Sequence, residues 1–173
     1  MRPEGEGKPV YLVDPSSDPV IVRIEGRVSF QNSGCLRDFA EEMLRQGRDR
    51  FILDFQRCTS MDSTFLGVLA GLALELRRRT PPGSLVLARV GPRNLELVRN
   101  LGLHRLLTVE ADGAAGGAGA NGHAVPLECG PRSELESARL VLEAHETLCT
   151  VDEGNRTKFQ DVLVFMKQRV EQG

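Results

Sequence analysis

Between residues 10 and 110 the chain alternates short apolar runs with segments whose apolar residues recur at helical spacing. The runs at 10–13, 20–28, 51–53, 85–90 and 106–109 have strand length and strand composition. Leu36, Phe39, Ala40 and Leu44 mark one helix over about 33–46, and Leu66, Leu69, Ala70, Ala73 and Leu76 line a second. Pro92 opens a third, short helix with Leu95 and Val98 inward. The order is strand, strand, helix, strand, helix, strand, helix, strand. Such alternation with short connections predicts an α/β fold, a mixed sheet with helices packed against it.

Local signals fix the element ends. Ser16, Ser17, Asp18 and Pro19 form a turn between the first two strands. Gly26 inside the second strand marks a bulge or a close approach of chain to chain. Arg77, Arg78 and Arg79 suit a helix C-terminus, and Pro81, Pro82 and Gly83 close that helix.

Outside this region the character changes. Residues 1–9 are rich in Pro, Gly and Glu and read as a flexible N-terminus. The stretch from 111 to 131 begins with ADGAAGGAGANGHA and reads as a linker or long loop, because Gly and Ala bury little and lose much entropy on ordering. Residues 132–173 form a C-terminal helical extension. One helix runs over about 134–148 with Leu135, Ala138, Leu142 and Leu148 inward, and another over about 157–170 with Phe159, Val162, Leu163 and Met166 on one side. Two such helices are not stable alone in water. They are expected to pack on the first domain, on each other, or on a second copy of the chain in a homodimer.

Charge narrows the function classes. Twenty-two Lys and Arg stand against 24 acidic residues, a formal net charge of -2, which gives no general attraction to nucleic acid or to an anionic membrane. With one Tyr and no Trp, a base-stacking surface is not expected. No run approaches the length of a membrane span, and no apolar run follows the first Arg, so neither membrane insertion nor a signal peptide is expected and the default compartment is the cytoplasm. Cys35, Cys58, Cys129 and Cys149 have no C-x-x-C spacing and are expected as small buried or half-buried hydrophobes.

Catalysis is not expected. His104, His123 and His145 lack suitably spaced partners and read as surface or loop histidines. No zinc-protease helix motif, phosphate-binding loop or dinucleotide fingerprint is present. Asp54 and Asp62 lack neighbouring metal ligands, so no metal and no cofactor is expected.

The remaining signal is the polar run Cys58-Thr59-Ser60-Met61-Asp62-Ser63-Thr64 at the mouth of the second helix. Two readings stand side by side. Asp62 or Ser63 caps the helix, whose first amides lack partners. Alternatively Thr64 accepts a phosphate, which would meet the positive end of the helix and its free N–H groups.

Ile52-Leu53-Asp54-Phe55, Met61-Asp62-Ser63-Thr64 followed by Leu66-Gly67-Val68-Leu69, Ile24-Glu25-Gly26-Arg27-Val28, and Asn100-Leu101-Gly102-Leu103 with Leu106 together resemble a STAS domain of the anti-sigma factor antagonist type. The resemblance covers about residues 9–110. It implies a small mixed sheet of four to five strands flanked by helices. It also implies a binding partner, an anti-sigma factor that is itself a serine/threonine kinase and phosphorylates Thr64. The Thr64 hydroxyl must then stand open to another molecule. Asp62 is the acidic loop residue that positions the hydroxyl, and Ser63 is its small neighbour. Two positions depart from the family: Phe65 stands where Gly is usual, and Ser29 where Asp often ends the earlier turn. Asp62, Ser63, Phe65 and Ser29 are therefore the expected partner contacts. The same fold also serves as a constitutive adaptor or structural subunit, such as the soluble STAS subunit of a membrane transporter or a signalling complex.

Overall fold

In the computed structural model, residues 10–110 and 123–173 are described; the expected flexible N-terminus and most of the Gly/Ala-rich stretch lie outside the described residues. β1 (Tyr11–Asp14) and β2 (Val20–Val28) form an antiparallel hairpin with Val13 opposite Val22. Its turn is tied by the Asp14 carboxylate, which accepts the Ser16 N–H at 3.1 Å and the Ser16 hydroxyl at 2.7 Å. β3 (Arg50–Met61), β4 (Ser84–Ala88) and β5 (Thr108–Glu110) add in parallel, joined by helical crossovers. Gly26 has φ +85° and sits where the β2–β3 register shifts, the bulge expected of a glycine there.

The sheet has six strands in the order β5-β4-β3-β2-β1-β6, one more than the four to five expected. The extra one is β6 (Val125–Pro126), which pairs with β1 from inside the stretch read as linker. A two-residue strand carries no periodic signal, and Pro is tolerated there because β6 is an edge.

Alternation along the strands divides the sheet's two faces. Val20, Val22, Phe51, Leu53, Phe55, Leu85 and Leu87 point to the main core, and Ile21, Ile52 and Ala88 form a small cluster on the other face. The main core is covered by α1 (Phe30–Arg45) and α2 (Ser63–Arg78), with Val98 of α3 (Pro92–Asn100) and Leu103 of a short helical turn, Leu103–Arg105, filling one end.

A further layer lies outside these helices. α4 (Glu134–Val151) and α5 (Gly154–Gln172) fold back as a hairpin, and α4 packs along α2 and α1. Of the alternatives left open by the sequence, packing on the domain and on each other is the one observed. The buried stripe of α4 is Ala138, Val141, Ala144, His145 and Leu148, rotated from the stripe expected, with Leu142 only half-buried. The approach is close because α2 carries Gly67 at the crossing. Any side chain there would collide with the Ala144 carbonyl oxygen.

Two ties fix the hairpin. Cys35 in α1 is joined by a disulfide to Cys129, five residues before α4, at a Cα–Cα distance of 5.3 Å. The expectation that all four cysteines are unpaired hydrophobes is thus corrected: the fold brings together two that lie far apart in sequence, while Cys58 and Cys149 stay free. At the other end, fully buried Asn155 of α5 donates from Nδ2 to the carbonyls of Leu101 and Leu148 at 3.0 and 2.8 Å.

Candidate functional site

β3 ends at Met61 and the chain turns straight into α2, so Asp62 falls at the helix N-cap in extended conformation. Its Oδ1 accepts the Phe65 N–H at 2.9 Å, and its Oδ2 accepts the Phe30 N–H at 2.8 Å. One carboxylate thus holds the starts of both α1 and α2. Of the two cap candidates in the sequence, Asp62 takes the role.

Ser29 caps α1. Its Oγ accepts the Gln31 N–H at 3.2 Å, and its own N–H donates to Asn32 Oδ1 at 2.9 Å. The hydroxyl that replaces the family's acid therefore holds a helix start, next to the working loop.

Ser63, the first residue of α2, is half-buried, and its hydroxyl is engaged by the C-terminal hairpin. Ser63 Oγ lies 2.8 Å from His145 Nε2, and His145 Nδ1 lies 2.7 Å from the Val141 carbonyl oxygen. A carbonyl only accepts, so Nδ1 carries a proton and donates to Val141, while Nε2 shares a hydrogen bond with the Ser63 hydroxyl. The Phe159 ring meets the imidazole edge-on, centroids 4.7 Å apart. His145 is 3% exposed, not the surface histidine expected. Burial is tolerated because both ring nitrogens have partners.

Thr64 is 4% exposed. The expectation of an open hydroxyl fails; its neighbours Ser63 and Gly67 lie against α4. Phe65 is fully buried, its ring edge-on to Phe55 at 6.2 Å. It is a core residue and not a docking contact, because the third position of α2 faces the sheet. The exposed aromatic beside the loop is Phe30, 43% exposed. A cleft of about 260 Å³ opens beside the α2 start, lined by Asp62, Ser63, Leu66, Leu97, Lys158 and Phe159. Lys158 donates to the Asn100 carbonyl at 2.6 Å.

Asp54 is buried and bound by both the Nε and a terminal nitrogen of Arg89, the former at 3.0 Å. It ties the middle of β3 to the residue just past β4 and is not a free carboxylate. Among the described residues, no group of three or more His, Cys, Asp or Glu is placed to hold a metal. Among them, too, no helix is long and apolar enough to cross a membrane.

A mixed sheet entered by an antiparallel hairpin, continued by parallel strands and flanked by helices, with a capped Asp-Ser-Thr loop after the central strand, defines a STAS-type domain. The family model described as "Mlab, STAS domain" matches residues 12–108, and the chain belongs to that family. Among solved structures, the anti-sigma factor antagonist SpoIIAA in its unphosphorylated form is similar with a TM-score of 0.51 at 21% identity, over 62% of this chain and 93% of that one. The Bacillus cell fate determinant SpoIIAA in its phosphorylated form gives a TM-score of 0.48 at 21% identity, over 57% of this chain and 89% of that one. At 21% identity the first of these likenesses carries the fold alone. No curated protein sequence matches.

Proposed function

We propose that the chain is a regulatory protein-binding module whose working surface is the paired start of α1 and α2, switched by phosphorylation of Thr64 by a partner anti-sigma factor with serine/threonine kinase activity. The reading rests on Asp62, which aligns two helix N-termini at one point and sets Ser63 and Thr64 in the first turn of α2. A phosphate there carries about -1.5 to -2 charges and, once α4 has withdrawn, meets two positive helix ends that favour it. A partner's acidic or apolar surface does not. Phe30, Ser29, Asp62 and Ser63 supply the contact surface. The reading implies a cytoplasmic location.

Because Thr64 is covered in the closed chain, the kinase acts only when α4 withdraws. That burial is also the specific observation behind a second reading, a constitutive adaptor or structural subunit in which Asp62 and Ser63 are purely structural. Incubation with a candidate anti-sigma kinase and ATP, followed by mass mapping, separates the two. Phosphate on the Thr64 peptide, lost in Thr64→Ala, supports the switch. Unchanged phosphate uptake in Thr64→Ala, or equal partner recovery for wild type, Thr64→Ala and Thr64→Glu, sinks it.

A further inference from the structure

The α4–α5 hairpin covers the start of α2 by a mixture of firm and weak contacts. α4 buries Ala138, Leu140, Val141, Ala144, His145, Leu148 and Cys149, the firm part of the contact. The ion pairs at its edge, Arg37–Glu143 at 3.3 Å and Arg132–Asp38, involve exposed partners and hold weakly. α5 buries Asn155, half-buries Phe159, Val162, Leu163 and Met166, the stripe expected from the sequence, and exposes Val164 and Phe165. Apart from these contacts, the lead-in to α4 is anchored by the two-residue β6 ladder, by Leu127 N–H to the Tyr11 carbonyl at 2.9 Å, and by the Cys35–Cys129 disulfide.

That disulfide has the placement of a lock. Cys35 lies on α1, whose first residue shares the Asp62 carboxylate with α2. Cys129 is exposed, whereas Cys35 is half-buried. The bond therefore joins the helix beside the Asp62–Thr64 loop to the root of the strap that covers it, with the exposed residue Cys129 as its outer end. In the cytoplasm, where the proposed function puts the chain, disulfides are mostly transient or redox-sensing.

We infer that Cys35 and Cys129 form a redox lock, which in the oxidised chain holds the α4–α5 hairpin shut over Ser63 and Thr64 and on reduction by a dithiol lets it open. A dithiol reductant attacks Cys129 Sγ through one thiolate. The Cys35–Cys129 bond breaks, a mixed disulfide forms, and Cys35 leaves as a thiolate. The second thiol of the reductant displaces Cys129 and closes the reductant's own disulfide. Two electrons pass to the protein, and each released sulfur takes up a proton. The open hairpin stays attached through the Gly/Ala-rich sequence before it, at an effective concentration that permits reclosure. The consequence for Thr64 and the cytoplasmic setting rest on the function proposed above; the placement of the bond does not.

Amide hydrogen exchange of the full chain, oxidised and in excess dithiothreitol, tests this without kinase or partner. In the reduced chain, exchange rises about tenfold or more in 134–151 and 62–68 and stays unchanged in 50–55, the central strand. Cys35→Ser without reductant matches the reduced wild type. Equal protection of 134–151 in both states overturns the proposal. So does an equal rise in 50–55, which would make the bond a staple of the whole fold, and so does the failure of Cys35 and Cys129 to pair under oxidised glutathione. Each of these leaves the Thr64 reading untouched, just as absence of phosphate on Thr64 leaves the lock standing.

Discussion

The Ser63 hydroxyl and His145 Nε2 meet at 2.8 Å across the α2–α4 interface, which ties the first residue of the signature helix to the C-terminal extension. His145→Ala removes a buried ring packed on Phe159 and leaves Ser63 without its hydrogen-bond partner. We expect a loss of about 2–4 kcal/mol by urea denaturation, from the cavity and the broken hydrogen bond together. Ser63→Ala should cost about 0.5–1.5 kcal/mol, and the double variant less than the sum, because both remove one interaction. Strict additivity would mean that the two residues do not interact in solution.

Gly67 is the point of closest approach. In Gly67→Ala the new methyl meets the Ala144 carbonyl, which is backbone and cannot swing aside. The expected result is displacement of α4 at a cost of about 1–3 kcal/mol, seen as faster proteolysis within 134–151 with the sheet intact. Wild-type protease resistance in that variant would contradict the packing.

Asp62 serves two helices with one side chain. A single cap is worth about 0.5–2 kcal/mol, so Asp62→Ala should fall at or above the upper end of that range. Asp62→Asn has one accepting oxygen and should lose less. Equal losses for the two variants would remove the double role. Thr64→Glu, by contrast, should leave the melting temperature within a few degrees only if α4 opens to accommodate it, so its hairpin should be protease-sensitive.

Burial pushes the Cys58 thiol up to about 11. The thiolate is the reactive form, so Cys58 in the folded chain should alkylate slowly with iodoacetamide at pH 8, with a rate that climbs towards pH 11. In urea the midpoint should return to the ordinary thiol value of about 8.5. The unfolded chain then releases this proton first, so stability declines as pH rises from the ordinary value towards 11. A folded-state midpoint at the ordinary value would contradict the burial.

Much of this was legible in the sequence. The strand and helix order of residues 10–110 followed from periodicity, and a cap at Asp62 or Ser63 from their place before an apolar helix; the hydrogen bond to Phe65 decides for Asp62. Phe65 was expected at the partner surface because its sequence neighbours do not fix its face; the packing on Phe55 does. His145 was misread because it was judged by partners near in sequence; its partner Ser63 is 82 residues away. Two signals pointed to a covering layer. Ala138, Val141, His145 and Leu148 recur at helical spacing, and α2 has no charged residue between Asp62 and Glu75. A helix apolar all round is buried on both sides, which requires something outside it. The Cys35–Cys129 pairing and the two-residue β6 had no local signal, because both depend on how the extension returns to the domain.

The central claim is that the chain's own C-terminal hairpin occupies the start of α2. Nuclear Overhauser contacts of the His145 imidazole protons in the full-length oxidised chain test it most directly. The account predicts cross-peaks from the imidazole to the Phe159 ring and to the Ser63 β protons. Absence of both, with random-coil shifts over 134–172, would show the hairpin detached and contradict it.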